Sequence, residues 1–369
     1  MVCTRGFARI DGKIRKDARD KRATNRLTIM KALILAAGLG TRLWPLTEDR
    51  TKAAIPFLNR PLIAYSVEYL AANGIRDIIV NLHHQPDSIR RALGDGSDFG
   101  VKIRYSFEPE ILGTSGALNP IRESLLDDDF LVINGKIITN IDLVQAIVEH
   151  RKHDAIATLV LRENRALEHF SIVEVDERGW ITRFAGFPKI AQSQAASLEK
   201  SRNPVTLAAG IPAAPLMFTG VQVLSPRVFE YIPRGGFSHS TVDVYPKAIA
   251  AGEAVIGVLS NRDWYEMSTL SRYLEANLSL MNQPASSCAG SVVAGAGCIV
   301  DDEATLQQAV LWDNVTVESG ARVRDCVLGE GVRVPSNATI ERAVVVRREI
   351  VRQIERGEVV GENLIVPIG

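Results

Sequence analysis

The chain has 369 residues, enough for two or three domains, and its 43 Lys and Arg residues balance its 43 Asp and Glu residues. Balanced charge argues against partners such as nucleic acid or an anionic membrane, and no apolar run approaches the ~20 residues that span a bilayer. The four cysteines have no Cys-x-x-Cys spacing, so we expect neither disulfides nor a zinc site, and a cytoplasmic location fits best.

Residues 1–29 are rich in Lys and Arg and have no apolar periodicity. They contain no hydrophobic segment of a secretion signal, and Asp11, Asp17 and Asp20 count against a transit peptide. Two alternatives remain: a basic arm that contacts nucleic acid or a partner, or a disordered leader upstream of a start at Met30. We favour the disordered leader.

The first predicted strand, residues 32–35, ends in a loop of small residues, AAGLGTR at 36–42. Small side chains let backbone N–H groups approach a ligand, and with the Arg42 guanidinium they form an anion site suited to phosphate. A tight turn without a ligand is the alternative. The loop is not a P-loop, since Thr41-Arg42 follows Gly40. It is not a dinucleotide loop either, since Leu43 replaces the third glycine.

A longer motif contains this loop: Gly38-x-Gly40-Thr41-Arg42-x-x-Pro45-Leu46-Thr47, then Lys52 and Pro61-Leu62-Ile63. It resembles the signature of the sugar-1-phosphate nucleotidylyltransferases (NDP-sugar pyrophosphorylases), with Thr51 in place of a proline. The resemblance implies attack of a sugar-1-phosphate on the α-phosphorus of a nucleoside triphosphate, which requires positioning and charge neutralisation. Arg42 and Lys52 are then candidate catalytic residues, although they could be ordinary surface cations. The candidate nucleotide-binding residues here are Ala36, Ala37, Gly38, Gly40 and Thr41.

Helices and strands alternate over the next hundred residues. Apolar spacing predicts helices over 61–73, 87–93, 115–125 and 142–153, and strands over 76–82, 101–107, 130–134 and 155–161. This alternation predicts an α/β fold with a mostly parallel sheet and a ligand at the carboxyl ends of its strands. The resemblance implies a Rossmann-like mixed sheet of the nucleotide-diphospho-sugar transferase type.

A second loop, Gly113-Thr114-Ser115-Gly116-Ala117, lies at a predicted helix start. It resembles the second glycine motif of the family, beside the base and sugar of the nucleotide, and makes Gly113 and Thr114 candidate nucleotide-binding residues. Alone, it would be a capped helix. The segment His83-His84-Gln85 follows a strand end and is a further candidate for contact with the base, with exposed loop residues as the alternative.

The sequence departs from the family at Asn134-Gly135-Lys136. There the family has Asn-Gly-Asp, whose aspartate holds the Mg²⁺ that bridges the reacting phosphates, whereas an ammonium has no lone pair for a metal. The second metal carboxylate of the family corresponds to Glu266 in Trp264-Tyr265-Glu266. We therefore take Lys136 as a candidate catalytic residue and Gly135 as a candidate nucleotide-binding residue. Glu266 is the candidate metal ligand, and the sequence leaves open whether Mg²⁺ is a cofactor.

Three alternatives follow for this site. In the first, the Lys136 ammonium supplies part of the positive charge that the metal would give to the phosphates. In the second, Glu266 holds Mg²⁺ with substrate oxygens and Asp142. In the third, the domain binds nucleotide sugars without turnover. A buried lysine requires an anion, which points to an anionic ligand or to pairing with Glu266.

The pattern changes after residue 170. We predict a hairpin over 171–184 and a long loop over 187–216, then strands over 218–223 and 255–259 and helices over 226–232 and 242–251. A final helix ends the domain near Met281. The family pattern Glu-Lys-Pro on the sugar side appears as Gly186-Phe187-Pro188, and the resemblance makes Glu174 and Gly220 candidate sugar-binding residues.

Beyond Gln283, apolar residues recur every five or six positions, as in Val315/Val317, Ala321/Val323 and Val332/Val334. This rhythm predicts a parallel β-helix of roughly three coils between Val292 and Val345. An antiparallel sandwich is the alternative. The resemblance implies a left-handed β-helix. Acyl transfer from this part is disfavoured because residues 292–369 contain no histidine to act as general base.

The predicted organisation is a leader at 1–29, a nucleotidyltransferase catalytic domain at 30–283, a hexapeptide-repeat β-helix at 287–350 and a tail at 351–369. The predicted partners are a nucleoside triphosphate, a sugar-1-phosphate and, through the β-helix, further copies of the chain; neither nucleic acid nor membrane is expected. The expected product is GDP-mannose or a dTDP- or UDP-hexose. A catalytically impaired regulatory homologue that binds nucleotide sugars is the alternative, because of Lys136.

Overall fold

The computed structural model describes residues 30–165, 172–184, 214–281 and 292–369. The predicted leader, the Gly186-Phe187-Pro188 pattern and most of the predicted loop at 187–216 lie outside these residues. The described chain forms an α/β part followed by a stack of short strands.

The α/β part contains thirteen described strands and six described helices. The strands are β1 (Lys31–Leu35), β2 (Pro56–Phe57), β3 (Arg60–Pro61), β4 (Asp77–Leu82), β5 (Lys102–Phe107), β6 (Phe130–Asn134), β7 (Ile137–Thr139), β8 (Ala157–Glu163), β9 (Ile172–Val175), β10 (Ile181–Phe184), β11 (Leu216–Leu224), β12 (Val255–Leu259) and β13 (Trp264–Glu266). The helices are α1 (Leu62–Ala72), α2 (Pro86–Leu93), α3 (Gly113–Gly116), α4 (Leu143–Lys152), α5 (Tyr245–Ala250) and α6 (Leu270–Met281).

Two predicted helices are wrong in type or extent. The helix predicted over 115–125 is the short α3 followed by a 3₁₀ turn at Asn119–Leu125, because Pro120 disfavours helical backbone at Asn119 and offers no N–H to a continuing helix. The helix predicted over 226–232 is a 3₁₀ turn, Pro226–Glu230. Among the described residues, no helix is both long and apolar enough to cross a membrane.

Nine of the thirteen described strands of the α/β part build a mixed, mostly parallel sheet, as predicted, whereas β2–β3 and β7–β13 form separate two-stranded sheets. Strands β5, β4, β1 and β6 are neighbours in that order and all parallel. Strand β11 runs antiparallel to both β6 and β8, and β12 is parallel to β8. The β9–β10 hairpin continues the sheet from the start of β11. Because parallel strands end at one edge of a sheet, the loops after β1, β4, β5 and β6 lie side by side.

The C-terminal part stacks parallel strands at a fixed interval. Its described strands are β14 (Val292–Ala294), β15 (Ile299–Val300), β16 (Thr305–Leu311), β17 (Thr316–Val317), β18 (Arg322–Leu328), β19 (Arg333–Val334), β20 (Thr339–Glu341), β21 (Ala343–Arg347), β22 (Glu358–Val360) and β23 (Asn363–Pro367). Val292 lies opposite Ala309, and Ala309 lies opposite Cys326, each 17 residues further along the chain. The same spacing relates β15, β17 and β19. The chain therefore returns to each ladder once every 17 residues, close to three hexapeptides.

The last residues are not a loose extension of this stack. Strand β23 pairs antiparallel with β21, and β22 pairs antiparallel with β23. The segment assigned to a tail from the sequence therefore contains a hairpin that covers the last parallel strand. Leu364 and Val366 in β23 are fully buried.

One apolar cluster is shared by the two parts of the chain. It includes Leu43 and Tyr273 from the α/β part and Val310, Trp312 and Val344 from the strand stack. Trp312 is 3 % exposed, and its indole N–H donates to the Tyr273 hydroxyl at 2.9 Å. A cavity of about 490 Å³ lies beside this junction, lined by residues of both parts, Arg50 and Arg347 among them.

The shared cluster predicts that Trp312 couples the stability of the two parts. Trp312→Ala should lower the free energy of unfolding by about 3–5 kcal/mol, because it removes a buried aromatic side chain and leaves a cavity. Chemical denaturation followed by circular dichroism measures this loss. Trp180→Ala, at a half-buried position on the β9–β10 hairpin, should cost clearly less; equal losses would contradict the coupling.

Candidate active site

The loop after β1 is shaped by Gly40 and a threonine on the following turn. Gly40 has a φ of 73°, which glycine adopts without strain, and a Cβ there would lie 2.9 Å from Thr47 Cγ2. The Thr47 hydroxyl donates to the Gly40 carbonyl at 3.2 Å. Gly38, Thr41 and Arg42 are exposed, so backbone groups and a guanidinium are open to a ligand at the carboxyl end of β1.

A buried chain of hydrogen bonds joins this loop to the second glycine loop. Asn81 Oδ1 accepts the Ala36 N–H at 2.6 Å, and Asn81 Nδ2 donates to Glu108 Oε1 at 2.7 Å. The second carboxylate oxygen of Glu108 accepts the Leu112 N–H at 3.0 Å. Both Asn81 and Glu108 are buried. Because buried polar groups are costly without partners, this chain holds the two loops at a defined separation.

The second glycine loop packs backbone against backbone on the segment around Ser238. The Ser238 carbonyl accepts the Ser115 N–H at 3.1 Å. Gly113 has a φ of +78°, and a Cβ there would lie 2.4 Å from the same carbonyl, so this close approach requires glycine. The Thr114 hydroxyl accepts the Ser240 N–H at 2.9 Å. The Thr114 hydroxyl therefore braces the loop from within the protein.

Lys52 begins a 3₁₀ turn on the same side of the sheet. Burial, together with the positive charges of Lys136 and Arg42, lowers the pKa of Lys52 to about 8, against the opposing effect of Glu266. Partial loss of water and the presence of nearby cations both disfavour the charged form of a lysine relative to its neutral form. The ammonium is therefore suited to an anionic ligand, whose negative charge would offset this repulsion.

Lys136 and Glu266 form an ion pair beside these cations. The Lys136 ammonium donates to Glu266 Oε1, and Arg272 Nη1 lies 3.4 Å from Glu266 Oε2. Strand β13 pairs with β7 and thereby places Glu266 opposite Ile137, next to Lys136 in the chain. The Glu266 side chain is 2 % exposed and that of Lys136 is 30 % exposed. A buried carboxylate thus holds an ammonium that still reaches solvent.

Gly220 and Gly135 both lie against the end of β6. A Cβ on Gly220 would lie 2.1 Å from Asn134 Nδ2, and one on Gly135 would lie 3.0 Å from Ile34 Cγ2. The two predicted binding positions are therefore neighbours, since Asn134 directly precedes Gly135. The missing side chain of Gly220 lets β11 approach Asn134, and that of Gly135 lets the loop that carries Lys136 pack against the end of β1.

Two other candidates have local partners away from these loops. Glu174 lies on the β9–β10 hairpin, 45 % exposed, with its carboxylate 3.4 Å from Arg183 Nη1; its role in sugar binding stays a prediction. Asp142 Oδ1 accepts the Val144 N–H at 3.0 Å and caps helix α4. The position of Asp142 therefore gives it a structural role, and the expectation that it completes a metal site is not supported.

The segment 83–85 braces the site. His83 Nδ1 lies 2.8 Å from the Glu108 carbonyl, and His84 Nε2 lies 3.1 Å from the Thr47 carbonyl. Gln85 donates to the carbonyl of the residue after Thr47. These contacts tie the loop after β4 to both neighbouring loops, so the expected contact of this segment with the base stays a prediction.

The residues present do not fit the divalent metal that the family implies. Mg²⁺ requires oxygen ligands in near-octahedral geometry, whereas an ammonium stands at position 136. Both carboxylate oxygens of Glu266 face cations, Lys136 and Arg272. Within the described ranges, no group of three or more His, Cys, Asp or Glu side chains is placed to hold a metal ion. Glu266 is therefore a partner of Lys136 in this structure, and its predicted role as metal ligand is not supported by these contacts.

Four residues of the site were missed by sequence reasoning: Asn81, Glu108, Ser238 and Arg272. A partial signal existed for Asn81 and Glu108, because each is a polar residue at the end of a predicted strand, on the edge where ligands bind. Nothing in the local pattern around Ser238 or Arg272 indicated their contacts. Ser238 contacts Ser115, which lies more than a hundred residues earlier in the chain.

Comparison with known proteins identifies the family. Residues 31–283 match the family described as nucleotidyl transferase, and residues 277–365 match the GlmU-like C-terminal hexapeptide family. The chain therefore belongs to the nucleotidyl transferase family, followed by a hexapeptide-repeat domain. The expected enzyme class is confirmed.

Several relatives align along most of the chain. It is 28 % identical to the UTP–glucose-1-phosphate uridylyltransferase of Synechocystis sp., covering 86 % of this chain and 81 % of that protein. It is 29 % identical to the mannose-1-phosphate guanylyltransferase of Mycobacterium tuberculosis, covering 84 % and 83 %. A solved structure from Bacillus anthracis, of a chain assigned as a glucose-1-phosphate thymidylyltransferase, has a TM-score of 0.56 at 23 % identity. It covers 69 % of this chain and 96 % of that one and supports the fold alone.

The Asn81–Glu108 chain predicts a specific effect on nucleotide binding. Glu108→Gln replaces one acceptor with a donor, so either Asn81 or Leu112 loses its partner in a buried site. We expect the free energy of unfolding to fall by about 1–3 kcal/mol and the KM for the nucleoside triphosphate to rise. Steady-state kinetics and thermal unfolding measure the two effects. Glu110→Gln, at an exposed position, is the matched control and should change neither.

The lowered pKa of Lys52 predicts a pH-dependent affinity for nucleotide. Below about pH 8 the ammonium is charged and pairs with phosphate; as the pH rises through the pKa of about 8 the charge is lost and binding weakens. Calorimetric titration with a nucleoside triphosphate between about pH 7 and pH 9 measures this fall. Lys52→Arg keeps its charge across that range, so its affinity should vary less with pH. Identical profiles for both proteins would contradict the assignment.

Proposed function

We propose that the chain transfers a nucleotidyl group from a nucleoside triphosphate to a sugar-1-phosphate, giving an NDP-sugar and pyrophosphate. The observation that carries the proposal is the placement of two glycine loops and the cations Arg42 and Lys52 at one edge of the sheet. Exposed backbone N–H groups beside cations suit a polyphosphate. Arg42, Lys52 and both glycine loops lie within residues 31–283, the range that matches the nucleotidyl transferase family, which supports the proposal.

In the proposed reaction, an oxygen of the sugar phosphate forms a bond to the α-phosphorus. The bond from that phosphorus to the bridging oxygen breaks, and its electron pair leaves with pyrophosphate. The protein contributes position and charge: the loop at 36–42 holds the triphosphate by backbone N–H groups, and the Arg42 fork grips phosphate oxygens. Lys52 neutralises the leaving pyrophosphate. Gly113 and Thr114, on the second loop, are the proposed residues beside the base.

For the substrates, we propose GDP-mannose or a dTDP- or UDP-hexose as the product. Relatives named as a uridylyltransferase and as a guanylyltransferase resemble this chain at similar identity, which favours the class over one member of it. Gly220 and Glu174 are the proposed sugar-side residues. Gly220 has the stronger support, because it lies against Asn134 at the end of β6.

For the C-terminal part, we propose a left-handed β-helix that joins copies of the chain in a cytoplasmic homo-oligomer. The 17-residue return of its parallel ladders and the hexapeptide-family match support a β-helix. Multi-angle light scattering of the full chain tests the oligomer, and a monomeric mass at working concentration would overturn it.

The test of the proposed function is a matrix of five nucleoside triphosphates (ATP, CTP, GTP, UTP and dTTP) against common hexose-1-phosphates, assayed for pyrophosphate. We expect one pairing to exceed the others clearly. Arg42→Ala should lower kcat/KM about tenfold or more, the effect of losing a charge-assisted contact of at least ~1.5 kcal/mol. Arg262→Ala, at an exposed position elsewhere, is the control.

The alternative is a regulatory homologue that binds nucleotide sugars without turnover, and Lys136 is the observation that favours it. The same matrix separates the two. Binding of a nucleotide sugar with no pyrophosphate from any pairing would support the alternative and overturn catalysis.

A further inference from the structure

Four cations surround one buried carboxylate at the candidate site. Lys136 and Arg272 contact Glu266 directly. Lys52 and Arg42 lie near enough for their charges to act on the others, since Lys136 and Arg42 both disfavour the charged form of Lys52. Burial and Arg42 both disfavour the charged form of Arg272, and Glu275 favours it. The four cations and Glu266 together carry a net charge of three positive units at the edge where the glycine loops open, and Glu275 reduces this excess to two.

Such an excess of positive charge is unfavourable without an anion. Glu266 can neutralise one of the four cations, and its burial with two of them fixes their positions. The remaining charge suits a ligand with several negative charges, as a triphosphate has. The cluster therefore has the charge of a phosphate site before any metal is added.

We propose that Lys136, held by Glu266, takes the place of a protein-bound divalent metal, so that the chain binds the bare triphosphate and turns it over without one. This inference rests on the proposed function. It extends that function by assigning the positive charge at the reacting phosphates to a side chain. The bonds made and broken are those given above, and no proton or further reactant is required.

The charge balance supports the substitution. An aspartate together with a dication contributes one positive unit, and a lysine at the same position contributes one positive unit. Replacing the aspartate and its dication by a lysine therefore leaves the total charge beside the phosphates similar, and it removes the need for oxygen ligands to a metal. The geometry differs, because an ammonium donates hydrogen bonds from a flexible stem whereas a dication binds oxygens directly.

The contacts of Glu266 point the same way. A dication at this carboxylate would have to displace Lys136 and Arg272 from its two oxygens and then lie beside them. Both changes are unfavourable, since they unpair buried charges and bring like charges together. The role left to Glu266 is to position the Lys136 ammonium, and that of Arg272 is to hold the second oxygen.

Calorimetric titration with GTP, UTP and dTTP, each in excess EDTA and each in excess Mg²⁺, tests the proposal. For at least one nucleotide we expect binding in EDTA at least as tight as in Mg²⁺. Lys136→Met should weaken the binding in EDTA about tenfold or more, as for other charge-assisted contacts. Lys247→Met, at an exposed position on α5, is the matched control and should bind as the unchanged protein does.

A second variant separates loss of charge from loss of folding. Lys136→Met alone leaves Glu266 with Arg272 as its remaining described partner, which could destabilise the fold. The double variant Lys136→Met with Glu266→Gln removes the buried carboxylate as well, and it should show the same weak binding in EDTA with native circular dichroism. Lys136→Asp should make binding depend on Mg²⁺.

The outcomes distinguish this inference from the proposed function. Pyrophosphate release only with Mg²⁺, together with weak binding in EDTA, would overturn the inference and leave the function intact. Release that persists in EDTA and falls in Lys136→Met supports both. Tight binding in EDTA without release under any condition overturns the function and the metal-free turnover, while supporting the role of Lys136 in binding. No binding in either condition overturns both.

Discussion

The buried carboxylate of Glu266 is the group on which the candidate site depends. A charge at 2 % exposure persists in a protein only when partners replace the water it has lost. Lys136 and Arg272 are those partners, and their attraction to Glu266 fixes two cations at the carboxyl end of β6. Lys52 and Arg42 then lie in a field that is already positive. Burial and the charges of Lys136 and Arg42 together lower the pKa of Lys52. The same positive field makes the site suitable for a polyphosphate.

The glycine loops depend on a second buried carboxylate. Glu108 accepts from Asn81 and from the Leu112 N–H, and Asn81 accepts from Ala36. Each loop is therefore anchored by a backbone group near its start. Rigid anchoring of flexible backbone is the usual requirement for a preorganised anion site. The two carboxylates have different roles. Glu108 positions the backbone of the two glycine loops, and Glu266 positions the cationic side chains of Lys136 and Arg272.

Much of this arrangement could be predicted from the sequence, and the rest could not for physical reasons. The parallel strands were predictable because β1 and β6 are continuous apolar runs. The loop at 36–42 was predictable because small residues directly after such a strand let backbone N–H groups approach a ligand. The pairing of Lys136 with Glu266 was one of two alternatives that the sequence offered, the other being an anionic ligand, since an ammonium withdrawn from water needs an anion. The strands β7 and β13 that create this pairing have three residues each, too few for any periodicity. The position of Ser238 depends on how distant segments pack, which no local pattern contains. Arg272 contacts Glu266, six residues earlier, across the junction of β13 and α6, where no periodicity indicates which side chains meet.

The segment 41–54 links the site to the strand stack. Arg42 and Lys52 belong to the cation cluster, whereas Arg50 lies 4.8 Å from the Trp312 ring and pairs with Glu330 at 2.7 Å. In the same segment, the Glu48 carboxylate accepts the Arg352 N–H of the C-terminal part at 2.9 Å. The same stretch of backbone therefore contacts the C-terminal part and presents the cations to the site. Arg42 and Lys52 lie on short turns of this stretch, which is supported by the loop after β4 and by the C-terminal part. As far as the described residues show, the C-terminal part thus contributes to the geometry of the candidate site without placing a side chain in the cation cluster.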